Sequence, residues 1–141
     1  AEADIEALTG QLQSRWDKVD VLVNNAGVAT GGALEFEDIQ QWEWVININV
    51  LGMVRMCPAF VPMMKQQGAG KIVNIASQAA IPLAPLMGSY NTSKAAFVSF
   101  SETMHLELQG SKIHVSVACP GFFSKNLDES MRSKQPGVAN L

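Results

Sequence analysis

The chain has 141 residues, of which 48% are hydrophobic and 16% charged, and its formal net charge at pH 7 is −3. These values are typical of one globular domain with an apolar core, and they exclude a disordered chain. The small negative charge and the absence of a basic run argue against a nucleic-acid-binding protein. Every apolar stretch is interrupted well before about 18 residues, so we predict no membrane span.

The chain has two cysteines, Cys57 and Cys119, which lie far apart in the sequence. Isolated cysteines favour a reducing compartment over a disulfide scaffold, and no signal peptide is visible, so we expect a cytoplasmic protein. His105 and His114 lack metal-ligand spacing with the cysteines, and we assign no metal. The first residue is Ala1 rather than Met, which indicates either processing or a piece of a longer chain.

Hydrophobic periodicity predicts helices and strands in alternation. The predicted elements are a helix over 3–17, a strand over 19–23, a loop over 28–37, a long helix from about 38 to 67, a strand over 71–77, a helix from about 89 to 109, a strand over 113–119 and a polar tail over 121–141. Pro58 and Pro62 each remove a backbone donor, so the second half of the long helix should bend or break. The strands do not alternate cleanly, which is typical of strands covered on both faces. This order predicts one α/β domain over 1–141, with a parallel sheet flanked by helices.

Tyr90 and Lys94 stand four residues apart near the start of the third long predicted helix, in the stretch "GSYNTSKAAF". Positions four apart share one face of a helix. An ammonium held beside a phenol stabilises the phenolate, which would make the tyrosine a proton donor and acceptor usable near neutral pH. The same spacing also occurs in ordinary surface pairs, so this pair alone does not establish a site.

Small and polar residues follow each of the three predicted strands. They are Asn24, Asn25, Ala26 and Gly27 after the first strand, Ser77 at the end of the second, and Pro120 and Gly121 after the third. Ligands of parallel α/β sheets bind at the carboxyl ends of the strands. We therefore expect these residues and the Tyr90 helix to meet at one rim of the sheet.

Five motifs occur in order along the chain: "NNAG" after a strand, "NVLG" in the long helix, a serine 13 residues before the tyrosine, Y-x-x-x-K, and "PG" after the next strand. Together they resemble the short-chain dehydrogenase/reductase family, over nearly the whole chain from about residue 4 to the "PGFF" loop. The resemblance implies a Rossmann-like, doubly wound domain and an oxidoreductase. The implied reaction transfers a hydride between NAD or NADP and a carbonyl or secondary alcohol. It also implies a homo-oligomer that assembles through its helices.

The same resemblance implies the catalytic roles. Tyr90 exchanges a proton with the substrate oxygen as general acid or base, Ser77 hydrogen-bonds that oxygen, and Lys94 supports the tyrosine and bonds the nicotinamide ribose. The family's fourth member is an asparagine in the long helix, for which Asn47 and Asn49 are candidates on opposite sides, about 200° apart. Asn49 precedes Val-Leu-Gly and lies on the apolar stripe, so we prefer it, with its backbone carbonyl holding a water that ties Lys94 to solvent. Alternatively, Asn49 only bends the helix.

The residues that the resemblance implies for cofactor binding are Asn24, Ala26, Gly27, Tyr90, Lys94, Pro120, Gly121 and Phe123. Asn24 could equally pin neighbouring strands, and Gly27 or Gly121 could serve only a tight turn. An apolar substrate pocket is possible from Ile81, Leu83, Leu86, Met87, Phe122 and Phe123, which would favour a hydrophobic carbonyl compound; these residues could equally be core.

Two features depart from the family's pattern. The glycine-rich turn T-G-x-x-x-G-x-G that receives the pyrophosphate is not in this sequence, nor is the residue that reads the adenine ribose, so NAD and NADP both stay open. Lys125 stands where the family often has threonine and cannot accept a hydrogen bond, although Ser124 could. The sequence thus resembles the central part of a domain without its N-terminal strands. We expect these 141 residues alone to be inactive; the alternative is a truncated, non-catalytic α/β assembly module.

Overall fold

The computed structural model describes residues 2–81, 83–121 and 131–135. Its helices and strands alternate as expected from the sequence, with boundaries shifted only slightly. In chain order they are α1 (Glu2–Arg15), β1 (Val21–Asn24), a 3₁₀ turn (Leu34–Phe36), α2 (Ile39–Ile46), a π-helical turn (Asn47–Leu51), α3 (Gly52–Gln67), β2 (Gly70–Ile75), a 3₁₀ turn (Gln78–Ala80), α4 (Gly88–Glu107) and β3 (Ile113–Ala118).

The three strands form one parallel sheet in the order β1-β2-β3. In the register of the sheet, Leu22 of β1 pairs with Ile72 of β2, and Ile72 pairs with Val115 of β3. All three carboxyl ends therefore reach the same rim. The predicted α/β class with a parallel sheet flanked by helices is confirmed.

The apolar core lies on one face of this sheet. Side chains from all three strands and from α1, α3 and α4 form a single cluster whose buried members are Leu22, Phe60, Met64, Ile72, Met104, Leu108 and Ile113, with Leu12 and Phe100 packed against it. Because the strand members are register neighbours on the same side of the sheet, the helices that contact them also lie on that side.

The opposite face of β1 is open, which corrects the expectation that the strands are covered on both faces. Val21 and Val23 alternate with buried Leu22 and are 50% and 54% exposed. Their apolar character made the strand pattern look doubly buried, but among residues 2–81, 83–121 and 131–135 the helices of the core cover only the face that carries Leu22.

The long helix begins at an N-cap and ends at a glycine. The Asp38 carboxylate accepts a hydrogen bond from the backbone N–H of Gln41, and the Gln41 side chain accepts from the N–H of Asp38, which forms a capping box. Gly68 ends the helix with φ 80°, a left-handed conformation that glycine adopts at little cost.

Of the bend or break expected at the prolines, the break does not occur. Pro58 and Pro62 both lie inside α3, which continues through them. Met53, Phe60 and Met64 are buried before, between and after the prolines, and packing of this kind supplies most of the stability of helices in proteins. The irregular stretch of the helix is instead the π-helical turn at Asn47–Leu51, upstream of both prolines.

By length and composition, the helix from Ile39 to Gln67 could cross a membrane, with a mean hydropathy of 1.5 over its most apolar 18 residues. The core helix of a globular domain meets the same criterion. Phe60 and Met64 of this helix pack against the sheet as part of the core cluster.

Candidate active site

Three of the predicted site residues, Gly27, Asn49 and Lys94, meet at the carboxyl ends of the strands. The Lys94 ammonium on α4 donates to the carbonyl oxygen of Ile75, the last residue of β2, at 3.2 Å. A Cβ atom added to Gly27, just after β1, would lie 3.3 Å from Lys94 Nζ and 3.6 Å from Asn49 Oδ1. The ends of β1 and β2, the π-helical turn and α4 therefore share one small region.

Tyr90 and Lys94 lie on one face of α4, as their spacing predicts. Each is 4% exposed, and Lys94 Nζ lies 5.8 Å from the centroid of the Tyr90 ring. The Phe97 ring, one turn further along, is 5.1 Å from the same nitrogen. Aromatic rings at this distance attract a cation through their negative faces, an effect that grows as the cation loses water. The ammonium is thus held beside the tyrosine in a dry, aromatic environment.

Asn49 is the asparagine of the long helix that reaches this region. It is fully buried, its Oδ1 accepts from the Val28 N–H at 2.8 Å, and its Nδ2 donates to Val28 O and to Ser93 Oγ, each at 2.9 Å. Asn47 is exposed and accepts a bond from the Arg55 guanidinium instead, at 2.7 Å. The structure thus separates the two candidates by position, whereas the water-holding role of the Asn49 carbonyl stays a prediction.

The π-helical turn explains how Asn49 reaches so many partners. A π turn inserts one extra residue into a helix and shifts the side chains that follow, and such turns are frequent at functional sites. Ser93, the partner of Asn49 on α4, also donates to the backbone oxygen of Tyr90 at 2.7 Å. A chain of hydrogen bonds therefore runs from Val28 through Asn49 and Ser93 to the tyrosine.

Ser77 lies two residues beyond the end of β2, in extended backbone with φ −160° and ψ 153°. Its Oγ accepts from the Ala79 N–H at 3.2 Å and so begins the 3₁₀ turn that follows. Gln78 N donates to Pro120 O at 2.9 Å, and a Cβ atom on Gly121 would lie 3.0 Å from Gln78 Oε1. The loop that carries Ser77 and the turn after β3 are therefore adjacent, as the strand-end argument predicts.

Asn24 takes the strand-pinning position that the sequence left open. Its Nδ2 donates to Asn74 Oδ1 at 2.8 Å, and Asn74 Nδ2 donates to Ser101 Oγ at 2.8 Å. Asn24 and Asn74 are also register partners in β1 and β2. Ala26 is exposed at the same rim, where its small side chain leaves the backbone open to a ligand.

Part of the prediction falls on residues outside those that the structure describes. These are Phe122, Phe123, Ser124 and Lys125. Within the described part, three of the four apolar residues predicted to line a pocket lie at the surface: Ile81 is 72% exposed, Leu83 is 71% exposed and Leu86 is 43% exposed, whereas Met87 is half-buried. The alternative that these three are core residues is therefore wrong.

A buried polar cluster that no sequence motif marks lies at the start of α4 and is formed by Thr30, Glu37 and Ser89. Glu37 stands between Glu35 and Asp38 in the sequence, and nothing marks it as the buried one of the three, because acidic residues are usually solvated. The only hint in the sequence is that Met87, directly before the helix, has no side-chain oxygen with which to cap it.

Comparison with known proteins agrees with these motifs. A family model described as short chain dehydrogenase matches residues 1–136. The 2-(R)-hydroxypropyl-CoM dehydrogenase of Xanthobacter autotrophicus is 35% identical over 96% of this chain and 55% of that protein. The chain spans about half the length of the curated relatives it matches.

Solved structures show the same fold. A short chain dehydrogenase/reductase from Burkholderia phymatum, in complex with NAD, superposes with a TM-score of 0.88 at 36% identity, over 92% of this chain and 47% of that one. The 3-ketoacyl-(acyl-carrier-protein) reductase from Brucella melitensis, complexed with NADH, gives 0.88 at 29% identity over 93% of this chain and 56% of that one. The resemblance seen in the sequence is confirmed, and the chain belongs to the short-chain dehydrogenase family.

Proposed function

We propose that the protein carrying this chain is an oxidoreductase that transfers a hydride between a nicotinamide dinucleotide and a carbonyl or secondary alcohol. The observation that carries the proposal is the convergence of buried Tyr90, Lys94 and Asn49 at the carboxyl rim of a parallel sheet. The NAD and NADH held by the structural relatives from Burkholderia phymatum and Brucella melitensis support the choice of cofactor.

The residues at the rim fit such a cofactor. Gly27 leaves its backbone uncovered beside Lys94, since a side chain there would lie 3.3 Å from the ammonium and 3.6 Å from Asn49. The open backbone of Ala26, Gly27, Pro120 and Gly121 would hold the cofactor, and Lys94 would bond the hydroxyls of its ribose. When bound, the nicotinamide supplies or accepts the hydride, which no side chain can do.

The side chains of this chain have distinct tasks in the proposed reaction. Tyr90 gives a proton to the substrate oxygen during reduction and takes it back during oxidation. Ser77 orients the same oxygen: its Oγ already accepts a bond from Ala79 N–H, so its own hydrogen remains for the substrate. Lys94 stabilises the negative charge that develops on the tyrosine oxygen.

Asn49 supports this arrangement through the loop after β1. Both polar atoms of its side chain are engaged by Val28, and its amide also binds Ser93, so the side chain holds the loop against α4. We propose that its backbone carbonyl holds a water that links Lys94 to solvent and returns the proton.

The substrate class follows from the exposed apolar side chains beside the site. Ile81, Leu83 and Leu86 lie in the segment between Ser77 and Tyr90 and are largely exposed. Exposed apolar side chains at the mouth of a polar site favour a substrate with an apolar body. We propose a hydrophobic carbonyl compound, handled by a homo-oligomer that assembles through its helices.

Replacement of Tyr90 by phenylalanine tests the proposal. In the protein that carries this chain, with NADH or NADPH and a panel of hydrophobic ketones, Tyr90→Phe should lower kcat about 1,000-fold because the proton donor is lost. The dissociation constant of the cofactor should change less than about threefold, since the ring remains. Thr92→Ala, at an exposed position of the same helical turn, is the control. Undiminished turnover in Tyr90→Phe would contradict the proposal.

A second measurement addresses the 141 residues by themselves. They lack the glycine-rich turn that receives a pyrophosphate, so we propose that they bind NADH or NADPH weakly and reduce no ketone. Titration of the purified chain, followed by nicotinamide fluorescence, checks this. Binding with a micromolar dissociation constant would show that the rim described here is sufficient and would refute this part.

A further inference from the structure

The residue at the N-cap of α4, the helix that carries Tyr90 and Lys94, does not cap the helix with its side chain. The first N–H groups of an α-helix lack partners within the helix and need an acceptor from elsewhere. Met87 stands at the N-cap of α4 and makes no side-chain hydrogen bond to it. The first internal bond of the helix is that from Asn91 N to Met87 O, at 2.9 Å. The stretch from Gly88 to Tyr90 therefore depends on partners outside α4.

Glu37, in the loop before α2, supplies the missing acceptor. Its Oε2 accepts the backbone N–H of Ser89 at 3.1 Å, and its Oε1 accepts the Ser89 hydroxyl at 3.0 Å. The Thr30 hydroxyl lies within hydrogen-bond reach of both Oε1 and Ser89 Oγ, and the two hydroxyl hydrogens of Thr30 and Ser89 are shared among these three oxygens. Glu37 is 9% exposed, and Thr30 and Ser89 are fully buried, so these bonds are shielded from water.

The energetics of this cluster favour an ordered helix start. A buried carboxylate is costly unless charge-assisted hydrogen bonds replace its hydration, and Glu37 receives the backbone N–H of Ser89 together with hydroxyl donation from the Thr30–Ser89 pair. The positive end of the α4 dipole adds a favourable interaction with its charge. A Cβ atom on Gly88 would lie 2.3 Å from Leu34 Cδ2 and 3.0 Å from Glu37 Oε2, so the glycine lets the loop that carries both residues lie directly against the first turn.

Tyr90 is thereby held from two sides. Ser89, directly before it, is fixed by Glu37, whereas its own backbone oxygen is bound by Ser93, which Asn49 fixes in turn. Loss of the hydrogen bonds between Ser89 and Glu37, or of the bond from Ser93 to the Tyr90 oxygen, would let the first turn of α4 rotate or fray. The direction of the Tyr90 hydroxyl would change with it.

We propose that Glu37 is a positioning residue for Tyr90: it caps α4 from a distant loop and so sets the direction of the tyrosine hydroxyl. The inference rests on the proposed function in so far as Tyr90 is the proton donor. Displacement of a reacting group by about 1 Å can cost on the order of 100-fold in rate. Glu37 itself does not touch the substrate.

Amide hydrogen exchange is the direct test and does not depend on activity. In Glu37→Leu, exchange at Ser89 and Asn91 should accelerate about tenfold or more, because the first turn loses its acceptor. Exchange in the second half of α4, from 99 to 104, should stay at the wild-type rate. Glu35→Gln removes an exposed acid from the same loop and should change neither region. If Glu37→Leu does not fold, Ser89→Ala takes its place in the test. That variant removes one hydroxyl from the cluster and should accelerate exchange at the start of α4 by a smaller factor.

Kinetics of the same variants separate positioning from general stability. Glu37→Leu should lower kcat about 10- to 100-fold while KM for the ketone and for the cofactor changes little. Glu37→Gln keeps one acceptor oxygen and should recover a large part of the lost kcat.

Unchanged exchange at Ser89 and Asn91 in Glu37→Leu, or an equal rise along all of α4, would overturn the proposal. Accelerated exchange with wild-type kcat would overturn it too, because the turn would then move without effect on Tyr90. A wild-type protein that reduces no ketone would instead overturn the proposed function, and the exchange rates would still decide whether Glu37 holds the helix start.

Discussion

The two ends of α4 are both buried, but by different kinds of residue. In the second half, Met104 and the following Leu108 pack into the apolar cluster with Leu22 and Ile72. In the first half, the buried residues include Ser89, Tyr90, Asn91, Ser93 and Lys94. Apolar burial stabilises in proportion to area and tolerates small shifts, whereas buried polar groups stabilise only when each finds a partner in the right direction.

This difference suits the two ends to different tasks. The apolar contacts hold the helix against the sheet, but they do not fix the position of the helix to a fraction of an ångström. The polar end is bound by directional contacts to the loop of Glu37 and to the π-helical turn of Asn49. A site that must place a hydroxyl and an ammonium beside one another requires the second kind of contact.

The largest effect on stability should come from the apolar end. Met104→Ala should lower the free energy of unfolding by about 3 kcal/mol, because a buried side chain is replaced by a cavity. Urea unfolding followed by circular dichroism measures it. Leu106→Ala, at a position that is 63% exposed on the same turn, should cost less than about 0.5 kcal/mol. Equal losses in the two variants would show that this end is not anchored by packing.

A smaller loss of stability is expected at the polar end, together with a loss of activity. Asn49→Ala leaves the N–H and carbonyl of Val28 without their partner, which should lower the free energy of unfolding by about 2 kcal/mol. Asn47→Ala, which removes an exposed amide from the same helical turn, should stay within about 0.5 kcal/mol. Thermal or urea unfolding of both variants measures the two changes in the free energy of unfolding. If Asn47→Ala were the more harmful change, the assignment of Asn49 as the buried asparagine would be wrong.

The apolar end and the polar end of α4 were predictable from the sequence by different kinds of pattern. Periodicity predicted the helices, the strands and their parallel order, since these depend on where apolar residues recur. It could not predict that Val21 and Val23 are exposed, because an apolar residue looks the same on either face of a strand. Nor could it predict that α3 continues through Pro58 and Pro62, which depends on packing against the sheet.

The site could be predicted only where motifs mark it. Y-x-x-x-K, the serine and the asparagine before Val-Leu-Gly identified Tyr90, Ser77, Lys94 and Asn49 as candidates. Glu37 belongs to no such motif, and its partner Ser89 stands 52 residues further along the chain. Its burial became evident only when the fold placed the two segments together. Long-range polar partners of this kind are the part of a site that a single sequence leaves hidden.

The smallest expected effect concerns the entry to the polar end of α4. Leu86, two residues before the helix, has φ 64°, a left-handed conformation that costs a residue with a Cβ atom about 1 kcal/mol. The hydrogen bond from Gly32 N to Leu86 O, at 2.9 Å, holds this backbone in place. Leu86→Gly should therefore lower the free energy of unfolding by less than about 0.5 kcal/mol, since relief of strain offsets most of the entropy that glycine gains in the unfolded chain and of the burial lost with the side chain. The control Leu83→Gly, at a site without positive φ, should lower it by about 1 kcal/mol, because no strain is relieved there. Equal losses of stability in the two variants would show that Leu86 is not strained.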